Sequence, residues 1–147
     1  MTRQQKSAAA IGAVLILLLI PIPYLASLKW TVTVTDEAGH PLQGMVVRLD
    51  YENCSVENSS HELEQLTEAS GRAVFPPQTR IALMMSRCYF TTLSAMALAH
   101  ASFGPSGYVL VIGKNREGSV NSADGSVFFW KGQPDRVTST VVARTRD

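Results

Sequence analysis

The sequence has 147 residues, with 13 Lys and Arg against 12 Asp and Glu and a formal net charge of +1. That balance excludes the strong positive field by which a chain recruits nucleic acid, and an aromatic content of 7% argues against a platform of stacked rings. With the first thirty or so residues set apart by composition, there is room for one globular domain of about 115 residues and no second core.

No residue between Lys6 and Lys29 is charged, and Ala8 to Leu28 is interrupted only by Gly12, Pro21, Pro23, Tyr24 and Ser27. An apolar run of about 20 residues at 1.5 Å rise covers the ~30 Å hydrocarbon core of a bilayer, so this segment is expected to be a transmembrane helix. Proline in the PIP that follows IGAVLILLLI would kink or end the helix near the outer interface, where Tyr24 and Trp30 suit an aromatic belt. Arg3 and Lys6 precede the run without a nearby acid, which keeps that end cytoplasmic and places the domain on the periplasmic or extracellular side. A cleaved signal peptide is the alternative, although Tyr24-Leu25-Ala26 puts a bulky residue where a small one is wanted. The expected organisation is therefore an anchor or signal over 1–30 and an extracytoplasmic domain over 31–147.

From Trp30 the pattern changes to alternation, with Trp30, Val32 and Val34 on one face of WTVTVT and threonines on the other, a half-buried strand. Gly39, Pro41 and Gly44 then supply a turn or sandwich corner before a second strand, MVVRLDY. The polar stretch ENCSVENSSHELEQLTE predicts an exposed strand and loop, and RAVF a short strand stopped by Pro76-Pro77. RIALMMS reads as a strand buried on both faces. Leu93, Met96, Ala97 and His100 fall at helical spacing and predict a short helix over 94–101, that face inward, ended by Gly104-Pro105. GYVLVIG suits a central strand, GSVNSADGS a loop, and SVFFW with RVTSTVVAR a final hairpin. About seven strands and one short helix make a mainly β chain, an immunoglobulin-like or transthyretin-like sandwich.

Cys54 and Cys88 in an exported domain are most simply a disulfide; the alternatives are two separate buried thiols or a reactive or metal-binding pair. Closing a loop of roughly 35 residues, such a bridge would stabilise the fold by about 3–4 kcal/mol. His61, Glu62, Glu64 and His100 are the candidates for a metal site or a hydrolytic centre, but H-E-L-E lacks the second histidine of H-E-x-x-H and no C-x-x-C occurs. No serine sits in a G-x-S-x-G setting. Glu62, Glu64 and Glu68 at even spacing line one face of a strand, a solvated row or a surface for a cation or basic partner. Asn58-Ser59-Ser60 fits an N-glycosylation pattern, relevant only in a eukaryotic secretory route.

VTVTDEAGHPLQGMVVRL followed by LTEASGRAVFP resembles the carboxypeptidase regulatory-like domain. The matching positions are Asp36, Gly39, Pro41, Leu42, Gly44, Thr67, Gly71 and Phe75. S-V-E, S-S-H-E, F-P and H-A-S-F-G-P, at Ser55 to Glu57, Ser59 to Glu62, Phe75-Pro76 and His100 to Pro105, are similar to an uncharacterised bacterial branch of such domains. The resemblance spans Thr31 to Gly113. It implies a β-sandwich acting as a structural, stability or adhesion module, and fold alone does not fix function. The expectation is a non-catalytic protein, without a cofactor, that contacts the lipid bilayer through its N-terminal helix and a protein or cell-envelope partner through its domain.

Overall fold

The computed structural model describes residues 2–97, 103–121 and 136–145. Within them the chain is mainly β, in the order α1 (Arg3–Leu18), β1 (Pro21–Ser27), β2 (Lys29–Thr35), β3 (Val46–Asn53), β4 (His61–Leu66), β5 (Arg72–Phe75), β6 (Gln78–Leu83), α2 (Met84–Met96), β7 (Pro105–Ile112), β8 (Arg116–Asn121), β9 (Arg136–Val142) and β10 (Arg144–Thr145). A five-stranded sheet of order β10-β8-β7-β3-β4 is joined by a three-stranded sheet, β5-β2-β9, and a two-stranded ribbon, β1-β6. The core runs through all of them: Trp30, Val32, Val34, Val47, Leu49, Phe75, Val109 and Val111 are buried together.

The alternation in WTVTVT sends Trp30, Val32 and Val34 inward as expected, and the Trp30 indole donates to Ser139 Oγ at 2.9 Å, so its buried N–H is satisfied. GYVLVI is central, with β7 between β3 and β8. Strands β2 and β3 belong to different sheets, so the turn between them carries the chain from one sheet to the other. Asp36 holds that turn by accepting from the His40 and Ala38 amides, and these bonds keep its carboxyl below the usual carboxylate range.

This turn and the β4–β5 connection lock into each other. The Thr67 hydroxyl donates to Leu42 O at 2.6 Å and accepts from Met45 N, Gly44 N donates to Thr67 O, and Val34 N donates to Gly71 O. Gly71 has φ +72°, and a Cβ there would lie 2.6 Å from Val34 O, so only glycine fits this crossing. Thr67, Gly71, Leu42 and Gly44, which look like punctuation along the chain, meet at one place.

Three expectations are corrected. The apolar run is not one helix: α1 ends at Leu18, Pro21 to Ser27 is a strand paired with β6 from Pro21↔Leu83 to Ser27↔Gln78, and no helix among the described residues is long and apolar enough to cross a membrane. Proline stops the helix, and β1 tolerates Pro21 and Pro23 because it has a neighbour on one side only. Tyr24, Ala26 and Ser27 are buried and the β structure begins at Pro21, ahead of the boundary at residue 30. Second, the helix after β6 starts at Met84, not Ser94, and its Leu93 and Met96 are 49% and 72% exposed, not inward. Third, GSVN belongs to β8, and β9 pairs in parallel with β2. SVFFW, the other half of the expected final hairpin, and His100 lie outside the described residues.

Candidate functional site

The β1-β6 ribbon extends the β2-β5 pair. The register continues from Trp30↔Phe75 to Ser27↔Gln78 across Leu28-Lys29 on one side and Pro76-Pro77 on the other. Helix α1 enters β1 and helix α2 leaves β6 at the far end of this ribbon, where Met84 N donates to Ile20 O. The two helices therefore start from neighbouring points.

No residue of α1 is buried. Ile11, Val14, Leu15, Ile16 and Leu17, with Leu19 and Ile20 beyond its end, are all exposed, and the sandwich covers none of them. An apolar surface of this kind marks an interaction site. Helix α2 repeats the feature. Met85, Tyr89, Leu93 and Met96, spaced to form one stripe, are exposed, whereas Thr91 and Ser94 donate to the carbonyls of Ser55 and Cys54. Its polar face docks on the domain and its apolar face points away.

The β3–β4 loop on which α2 docks also carries a polar cluster centred on Glu57. The Tyr24 hydroxyl donates to Glu57 Oε2 at 2.9 Å, His61 Nε2 lies 2.8 Å from the same oxygen, and Asn53 N donates to Oε1 at 3.1 Å. Asn53 Nδ2 donates to Leu25 O, tying this cluster to β1. Burial, then the bond to the Glu57 carboxylate, pushes the Tyr24 phenol from 10.0 up to about 12. The folded chain thus holds this proton more tightly than the unfolded one, so the associated stability is complete below about pH 10 and falls as pH rises toward 12. Tyr24→Phe is expected to flatten the loss of stability between those values relative to wild type, read from chemical denaturation across alkaline pH; equal slopes would contradict it.

The sequence candidates separate. His61 is engaged by Glu57, four residues earlier across a loop. Glu62 and Glu64 project from the other side of β4 and share Arg48, at 3.6 and 2.7 Å. The even spacing does indicate one face for Glu62 and Glu64, an exposed ion-paired pair worth little in stability, whereas Glu68 lies in the turn beyond the end of β4. His61 does not converge with Glu62 and Glu64, and no metal-holding group of His, Cys, Asp and Glu occurs among the described residues. Cys54 and Cys88 are unbridged, Cys54 half-buried and Cys88 exposed. Burial pushes the Cys54 thiol up, and its Sγ lies within hydrogen-bonding reach of Glu52 and Ser106. An open depression of about 300 Å³ adjoins it, lined by Asp50, Tyr51, Glu52, Ser60, Ser106 and Tyr108. Sequence reasoning misses Glu57 because its partners come from β1 and β4, on either side in the chain.

No family model matches the chain, and no curated protein matches it. Among solved structures, it is similar to the crystal structure of 3-chlorocatechol 1,2-dioxygenase from Rhodococcus opacus 1CP, with a TM-score of 0.45 and 11% identity, over 82% of this chain and 60% of that one. The chain thus spans less than two thirds of that enzyme's chain, and no residue role is carried over from it.

Proposed function

We propose that the protein is a membrane-attached β-sandwich module with a non-catalytic structural role, holding a protein or cell-envelope partner on the periplasmic or extracellular side. The observation that carries the attachment is α1: from Ala8 to its end apolar residues lie on all sides, none is buried, and Arg3 and Lys6 stand in its first turns. Of its 16 residues only those from Ala8 to Leu18 are apolar, and these span about 16 Å. That is well short of the ~30 Å hydrocarbon core, so attachment requires the bilayer to thin locally and Arg3 and Lys6 to snorkel to the interface. The positive flank favours a cytoplasmic N-terminus.

The non-catalytic reading is supported by how the reactive side chains are used. Glu57 ties His61, Tyr24 and the Asn53 amide together, and Arg48 takes Glu62 and Glu64. The interlocked Thr67, Gly71, Leu42 and Gly44 support the likeness to carboxypeptidase regulatory-like domains, in which such turns brace a sandwich. Expression of the full chain in a bacterium tests the proposal. The chain should pellet with membranes, resist an alkaline carbonate wash, and lose its sandwich to protease added outside intact spheroplasts. A soluble chain, protected until the cells are lysed, would refute it.

A further inference from the structure

We infer that α2 is a second membrane contact, a surface helix whose apolar stripe lies on the anionic phospholipid face of the bilayer that α1 enters. The inference rests on the membrane attachment proposed above and adds where the sandwich sits: its ribbon end lies against the lipid, held at two points.

Three observations converge. Helix α2 is docked with its polar side inward, through Thr91 and Ser94, and carries Met85, Tyr89, Leu93 and Met96 on the side away from the domain. A helix packing for the benefit of its own core turns the other way. One with an exposed apolar stripe fits the plane of a membrane interface, sinking about 5–10 Å into the boundary between headgroups and acyl chains.

The surface is also continuous with α1. Met84 N bonds Ile20 O where the helices leave the ribbon, and the exposed Ile81, Leu83 and Met84 lead directly into the stripe. If α1 enters the bilayer, the start of α2 is carried to the same interface.

Charge selects an anionic lipid as the occupant. Arg3, Lys6, Arg80 and Arg87 are the charged residues of α1, β1, β6 and α2; no Asp or Glu occurs before Asp36 or between Glu68 and Glu117. The acids Asp50, Glu52, Glu62 and Glu64 lie instead on β3 and β4. Glu57, in the β3–β4 loop, has its oxygens engaged by Tyr24, His61 and the Asn53 amide. With Arg3 and Lys6 at the cytoplasmic end of α1, the cations left on the elements that carry the stripe are Arg80 and Arg87, and with no acid among them these suit a negatively charged headgroup layer, each adding attraction near the surface.

A polarity-sensitive fluorophore tests this on the full chain reconstituted in vesicles of phosphatidylcholine and phosphatidylglycerol. With Cys54→Ser and Cys88→Ser as background, the label is placed at Met96→Cys, at Leu93→Cys as a second stripe position, and at Glu62→Cys as a control on the outer face of β4. The stripe labels should shift to the blue and lose about half or more of their emission to nitroxides on the acyl chains, as expected at the depth of an interfacial helix. The Glu62→Cys label should do neither. Stripe labels that stay water-like on vesicle-bound chains would overturn the inference while leaving attachment through α1 intact. A blue shift without nitroxide quenching would overturn it too, showing that protein covers the stripe. A chain that does not remain with the vesicles would overturn both the inference and the attachment beneath it.

Discussion

Phe75→Ala is expected to destabilise the domain by about 3–5 kcal/mol, the range for removing a large aromatic side chain from a packed core. Phe75 is fully buried, its strand β5 pairs with β2 so that it stands opposite Trp30, and two prolines follow that fix the chain's exit into β6. The neighbours Val32 and Val34 lie in a strand held by β5 on one side and β9 on the other. Little collapse into the cavity is possible there, which keeps the cost high. Denaturant unfolding monitored by tryptophan emission measures it. A loss below about 1 kcal/mol, typical of an exposed substitution, would show that the three-stranded sheet does not close over this core.

Removing residues up to Ala26 is expected to cost more still, unfolding the domain or leaving it without a cooperative transition. The cut takes away β1, the only strand partner of β6 among the described residues, with the buried Tyr24 and Ala26. It also deprives Glu57 of the Tyr24 hydroxyl and Asn53 of the Leu25 carbonyl. The backbone groups of β6 would lose their ladder, and buried polar groups left unpaired cost about 1–3 kcal/mol each. A chain starting at Ile20 keeps all of this and loses only α1, which buries nothing in the sandwich, so its unfolding midpoint should match that of the full chain. Two truncations one strand apart thus separate a folded domain from an unfolded one. Equal midpoints would contradict the place of β1 in the fold.

The strands that follow a clean alternation are legible in the sequence itself. Trp30, Val32 and Val34 declare their face, and β5 and β7 sit between turn formers that bound them. Strand β1 is hidden because its inward Tyr24 and Ala26 alternate with Leu25 inside a run already apolar from Ala8, and the alternation breaks at the buried Ser27, where the register shifts, so continuity masks period two. The start of α2 is hidden for a related reason: between Arg80 and Ser86 the run IALMM has no polar residue to mark where strand becomes helix, and Leu83 provides no side-chain cap at the boundary. Helical spacing does reveal that Leu93 and Met96 share a face, yet spacing cannot say whether a face points inward. Only the bonds of Thr91 and Ser94 to the β3–β4 loop decide it. The parallel pairing of β9 with β2 joins residues far apart in the chain, and nothing local in RVTSTVV announces that partner.

The same geometry bears on the choice between an anchor and a cleaved leader. Cleavage after Ala26 would remove a strand of the sandwich, whereas an intact N-terminus leaves β1 paired and α1 free to enter lipid. The intact mass of the protein extracted from washed membranes tests this most directly. Membrane attachment through α1 predicts a mass that includes α1 and β1, recovered in the membrane fraction. A protein recovered outside the membrane with its N-terminus at or beyond Ser27 would contradict it.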